Sequence, residues 1–152
     1  MWFRIFGVKE AAPEPAALLE HLHANGVAVE GHFAGDDLGW FRADFVLPGQ
    51  QPLRLDRFLA EEDEVRDQLN AWAAWLENAA DAKRSVQLMQ LMIAANQVMT
   101  LECPRDRAEE PEVLKFCLAL CRYLAAQTAG AFQVDGEGLF DANGELLVRE
   151  DP

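Results

Sequence analysis

The chain is short of the residues on which recognisable chemistry is built. It has one serine, Ser85, with none of the glycines that hold a nucleophile on a sharp turn. Its three cysteines, Cys103, Cys117 and Cys121, include no Cys-x-x-Cys pair. An odd, unpaired set reads as reduced, buried thiols, not as a disulfide framework or a zinc site. No glycine pattern of the dinucleotide or phosphate-loop type carries a strand into a helix. No run approaches the ~18 apolar residues that span a bilayer. The apolar start, Met1–Phe6, is too short for the hydrophobic core of a signal peptide. These absences predict a cytoplasmic protein with no membrane contact, no cofactor and no catalytic residue that can be named. Whether it is an enzyme stays open, with the balance against.

Positive charge is scarce too. Lysine and arginine total 13 against 26 aspartates and glutamates, for a net charge of −13. A field of that sign repels phosphate backbones and anionic lipid headgroups, so nucleic acid is excluded as a partner. It favours encounter with a basic protein, although it also serves solubility alone. With 152 residues, 51% apolar and 26% charged, the chain fits one folded domain over 1–152.

Periodicity then orders the elements. Met1–Val8 reads as a strand from its aromatic and β-branched content. Pro13 and Pro15 open a helix to about Ala24, with Leu18, Leu19 and Leu22 inward and Gly26 as its left-handed stop. Strands follow over 27–34 and 40–47, joined at Gly35–Gly39, and a third over 53–59. The stretch 61–96 is helical. Acids at its start suit a first turn, and Val65, Leu69, Trp72 and Leu76 recur at helical spacing. Val86, Met89 and Ile93 mark its second part, which Asp81 is placed to cap; two helices or one kinked helix both fit. A strand over 97–103, an apolar helix over 112–128 ended by Gly130, and strands at 131–135, 139–140 and 145–149 complete the chain. Asn143-Gly144 marks the last turn.

This order predicts an α+β fold with helices on one face of its sheet. The first and last thirds, 1–59 and 97–150, both read strand–helix–strands, which suggests an internal duplication joined by the helical segment 61–96. Asn25-Gly26-Val27 aligns with Ala129-Gly130-Ala131 in support. Two such units are similar, in topology alone, to vicinal-oxygen-chelate enzymes and gyrase-inhibitor-like ligand-binding proteins. No motif carries over, and the chelating residues implied by the first group are not evident.

Alternation sorts the strand residues onto two faces. Val27, Val29, Phe33, Phe41, Ala43, Phe45, Leu47, Leu53, Leu55, Phe132 and Val134 form the apolar one. Glu30, His32, Trp40, Arg42, Asp44, Arg54 and Asp56 fall opposite, joined by Thr100, Glu102, Gln133 and Asp135. Read plainly, this is a solvated sheet face with cross-strand pairs such as Arg42–Asp56, each contributing a few tenths of a kcal/mol. Read functionally, it is a binding surface in which Trp40 is the anchor. Metal binding is not expected. His21 and His23 are two apart on a helix and diverge, the acids around His32 belong to a turn, and the acids of 135–145 miss calcium-loop spacing. Cys117 and Cys121 read as core, as do the methionines, and of Trp72 and Trp75 one reads as core and the other as partly outward.

The expected function is therefore a binding or interaction protein using the open polar face. The rivals are a small-molecule-binding protein or enzyme with a pocket between two repeats, taking a small polar ligand, and an immunity-type inhibitor of a basic protein. Oligomeric state is not legible.

Overall fold

The structure, a computed structural model, describes residues 1–62, 64–79 and 82–150. The fold is α+β. Its elements run β1 (Trp2–Gly7), α1 (Pro15–Ala24), β2 (Glu30–Asp36), β3 (Gly39–Val46), β4 (Leu53–Leu59), α2 (Val65–Glu77) and α3 (Ala82–Ala94). Then come β5 (Gln97–Glu102), α4 (Arg105–Ala108), α5 (Pro111–Gln127), β6 (Ala131–Val134), β7 (Gly138–Phe140) and β8 (Leu146–Arg149). The helical middle is thus two helices, and the cap expected at Asp81 lies outside the described residues. The short α4, a single turn after Pro104, has no periodic signal and was not foreseen.

The eight strands form one sheet in the order β2-β3-β4-β5-β1-β6-β7-β8, every neighbouring pair antiparallel. β1 lies in the middle, and its alternation divides the core. Phe3 and Ile5 point to one side, where Met99, Leu101, Phe132 and Val134 join them beneath α1 and α5. Helix α5 lays Val113, Phe116, Cys117, Leu120, Cys121 and Leu124 on that side, all buried. Each large apolar side chain buried there contributes roughly 1.5–3 kcal/mol.

Phe6 points to the other side, with Val98, Ala131, Leu139 and Val148, and these meet Leu69, Leu76, Leu88 and Met92 of the α2–α3 hairpin. Helices therefore cover both faces, which corrects the expectation of one. The physical reason is that β1, β5 and β6 carry apolar residues at both parities over part of their length. The α2–α3 hairpin covers the second face only toward β6–β8 and the ends of β1 and β5 that hold Phe6 and Val98. Among the described residues no helix packs on that face over β2–β4.

The strand order does not repeat between the halves. After α1 the chain enters at the outer strand β2 and meanders inward to β4; after α5 it enters at the inner strand β6 and meanders outward to β8. The aligned glycines also do different work. Gly26 has φ +77° and closes α1 by donating its N–H to the His23 carbonyl. The corresponding left-handed position after α5 is Ala129, at φ 52°, and Gly130 follows it. There a Cβ would stand 1.8 Å from the Phe6 carbonyl oxygen, so Gly130 is needed for close approach.

Candidate functional site

A bulge in β3 decides which side chains share the open face. Ala34 pairs with Arg42, but Gly35 pairs with Trp40, so Phe41 has no partner across the ladder. One extra residue reverses the parity of what precedes it. Trp40 turns to the α1 and α5 side, 5% exposed, and donates its indole N–H to the Pro13 carbonyl at 2.8 Å. Phe41 turns out and is 41% exposed. The expectation had these two residues the other way round. Seen without a bulge, Phe41, Ala43, Phe45 and Leu47 make an unbroken alternating run.

Trp40 also covers a buried cation. Arg57 continues the parity of Leu53 and Leu55, and it is 6% exposed with its guanidinium 5.9 Å from the Trp40 ring. It donates from Nε to the Gln97 side chain at 2.7 Å, from Nη1 to the Trp40 carbonyl at 3.0 Å, and from Nη2 to the Glu10 carbonyl at 2.7 Å. Burial pulls its pKa down, opposed by the more distant charges of Glu10, Asp36 and Glu62.

The remaining expected residues do come together. Arg42 stands directly across from Asp56, and Asp44 from Arg54. Arg42 Nε lies 3.4 Å from Asp56 Oδ1, and Arg54 Nε lies 3.0 Å from Asp44 Oδ1. His32 is opposite Asp44, and its Nε2 is 4.0 Å from Glu30 Oε2 on its own strand. Such exposed pairs contribute only a few tenths of a kcal/mol each to stability. They form a charged lattice over β2, β3 and β4. Register continues the lattice inward, since Asp56 faces Thr100, Thr100 faces Arg4, and Arg4 faces Gln133.

At Arg4 the open half of the face meets the edge of α2, and a cleft of about 470 Å³ opens there. Arg4, Ala71, Trp72, Trp75, Gln133, Asp135 and Glu150 line it. Trp72 is fixed edge-on against the core ring of Phe6 at 5.8 Å, and Trp75 stands edge-on to Trp72 at 5.7 Å. Three residues apart on one helix, they divide as expected into an anchored ring and a half-exposed one. The Arg4 guanidinium lies 5.7 Å from the Trp2 ring and 5.8 Å from the Trp72 ring, a cation between two indoles. Its Nη1 donates at 2.7 Å to both Gln133 Oε1 and Asp135 Oδ1. Gln133 in turn donates Nε2 to Glu150 at 2.6 Å.

Asp135 is held as an anion. Burial alone would raise its pKa. Hydrogen bonds from Gln133, the Trp2 N–H and Arg4, with the Arg4 charge, outweigh burial and hold it below the usual aspartate range. A carboxyl depressed in the folded state stabilises the protein at pH above its unfolded pKa, and that contribution fades as pH falls through the folded value. The stability difference between the protein and Asp135→Asn is therefore expected to be constant above about pH 5 and to shrink below about pH 4. Urea unfolding of both proteins across pH checks this; a difference that grew on acidification would contradict it.

Arg4 and Trp2 were missed as site residues because β1 reads as one apolar strand. The available signal was Arg4 itself, a charge in the centre of that strand at the parity of Trp2 and Phe6. Glu150, beyond the last strand, gave no signal.

Cys103, Cys117 and Cys121 are free and buried. The hydrogen bond to Cys103 and then burial raise the Cys117 thiol, and burial raises Cys121. Ser85 Oγ is buried without a hydrogen-bond partner among the described residues. Among the described residues no three His, Cys, Asp or Glu side chains gather as a metal site, and no helix is long and apolar enough to cross a membrane. Compared with family models, with curated proteins and with solved structures, the chain matches none.

Proposed function

We propose that the protein is a non-catalytic binding protein whose partner, a basic protein surface, docks on the uncovered half of the second sheet face. The placement of the exposed aromatic side chains supports this reading most. Among the described residues these are Trp2, Phe41, Phe58 and Trp75, 36–41% exposed. Trp2 and Phe58 share the parity of Arg4 and Asp56, Phe41 is turned out by the bulge, and Trp75 lies on the α2 edge. All four therefore stand on or beside one face. Aromatic anchors interleaved with charge are the composition of an interface centre.

Charge on the same face supports the choice of partner. On β2–β4 Glu30, Asp44 and Asp56 stand with Arg42 and Arg54, and Glu102, Asp135 and Glu150 with Arg4 continue the same face toward α2, in keeping with the net −13 of the whole chain. A surface of that sign steers and orients a basic partner, as an immunity-type inhibitor of a basic protein would require. The second reading, a small-molecule-binding protein, has the cleft beside Arg4 in its favour.

The test begins with a partner recovered from source cells at low ionic strength and purified. Affinity is expected to weaken steeply with added salt, and binding to slow amide exchange in β2, β3 and β4. Affinity indifferent to salt, or protection confined to α1 and α5, would count against the proposal.

A further inference from the structure

Arg4 shows how a cation is held in this part of the protein. Its guanidinium lies 5.7 Å from the Trp2 ring and 5.8 Å from the Trp72 ring, and Nη1 is 2.7 Å from the Asp135 carboxylate. The indole rings attract the cation through their quadrupoles, and the carboxylate neutralises it. Within the cleft, the charges of Arg4 and Asp135 therefore cancel.

A further indole and a further carboxylate line the same cleft, those of Trp75 and Glu150. Trp75 is 37% exposed, and its ring contact is an edge-on one with Trp72. Among the described residues no cation of the chain lies over its ring, and Glu150, half-buried, forms no ion pair. Gln133 Nε2 donates to Glu150 Oε1 at 2.6 Å, and the Gly136 N–H donates to Oε2 at 2.9 Å. These two bonds fix the carboxylate in place and leave its charge unneutralised. A carboxylate oxygen accepts two bonds, so each keeps one lone pair to offer.

We propose that this cleft seats an arginine side chain of the basic partner, with its guanidinium against Trp75 and Glu150. A planar guanidinium stacks on an indole and is more weakly hydrated than an ammonium, so it gives up less water on entering. An anion would meet the charge of Glu150, and a neutral group would leave that charge without a partner. The volume of about 470 Å³ admits a side chain of this length. The inference rests on the basic-partner reading above and adds to it a place, at the α2 edge of the open face, where one charge of that partner is taken in.

Tryptophan fluorescence of the full chain, titrated with Nα-acetyl-L-argininamide at constant ionic strength, tests the cleft without any partner. The guanidinium is the one charge on that probe. A saturable change is expected, with a Kd on the order of millimolar for a single side chain. Nα-acetyl-L-citrullinamide, of nearly the same shape but uncharged, is expected to bind at least about ten-fold more weakly. Glu150→Gln should bring the arginine probe down to the level of the citrulline probe and leave the latter unchanged. The purified partner should lose about ten-fold or more in affinity for Glu150→Gln. No saturable response, equal binding of the two probes, or an arginine affinity unmoved by Glu150→Gln would overturn the proposal. So would a partner affinity unmoved by that substitution, a result that leaves the docking surface on β2–β4 standing. Partner affinity indifferent to salt would instead sink the basic-partner reading, and saturable, Glu150-dependent binding of the probe would still mark the cleft as an arginine site.

Discussion

Gly130→Ala is expected to cost more than about 3 kcal/mol, the upper end of what overpacking costs. For a chain of this length that corresponds to a fall of roughly 10 °C in Tm. The added Cβ would stand 1.8 Å from the carbonyl oxygen of Phe6 and 2.8 Å from its carbonyl carbon. These are backbone atoms of β1, which is paired on both sides, to β5 and β6. Neither neighbour can yield without opening a ladder at the centre of the sheet. The adjacent residue supplies a control of opposite sign. Ala129 holds the left-handed conformation that ends α5, at φ 52°. Ala129→Gly should relieve about 1 kcal/mol of that strain and raise Tm. Thermal unfolding of both variants separates the two roles. A mild Gly130→Ala, or a loss on Ala129→Gly, would contradict this account of the turn.

The second large effect belongs to Arg57. Arg57→Met is expected to destabilise by about 3 kcal/mol, because it leaves two buried acceptors and a part-buried one without donors. The Trp40 and Glu10 carbonyls and the Gln97 side-chain oxygen would all lose their N–H. Arg57→Lys should rescue little. An ammonium on a single stem cannot reach three acceptors that a planar fork spans at once. Urea unfolding provides the magnitudes. The accompanying sign is that Trp40 emission should shift to the red, since Arg57 and the Pro13 carbonyl together hold the indole in place. A methionine variant as stable as the protein would mean that the fork holds nothing together.

Much of this architecture is legible residue by residue. Arg42 and Asp56 could be paired in advance because period-two alternation and a hairpin between β3 and β4 leave few registers. Asp44 and Arg54 follow from the same register. The division of Trp72 from Trp75 follows from helical spacing. Trp40 was misplaced because a bulge is a property of two strands, and the run from Phe41 to Leu47 gives no sign of it alone. Gly35, where a Cβ would stand 2.8 Å from the Trp40 Cα, is the local requirement that marks the bulge. Covering of the second face could not be read either. Val98 and Ala131 look like ordinary strand residues until the α2–α3 hairpin is seen to lie on them. The cleft depends on three separate stretches, β1, α2 and the end of the chain, and no local pattern joins them. The apparent duplication is not confirmed for a similar reason, because order along the chain does not set order across the sheet.

Affinity for the salt-sensitive partner, measured on three purified variants, tests the binding surface most directly. Phe58→Ala and Asp56→Lys alter the uncovered half of the second face, while Leu114→Ala alters an exposed residue of α5 on the opposite side. The predicted result is a loss of about ten-fold or more for each of the first two and no change for the third. Full affinity in Phe58→Ala and Asp56→Lys, with the loss appearing in Leu114→Ala, would place the partner on the helices and contradict the assignment.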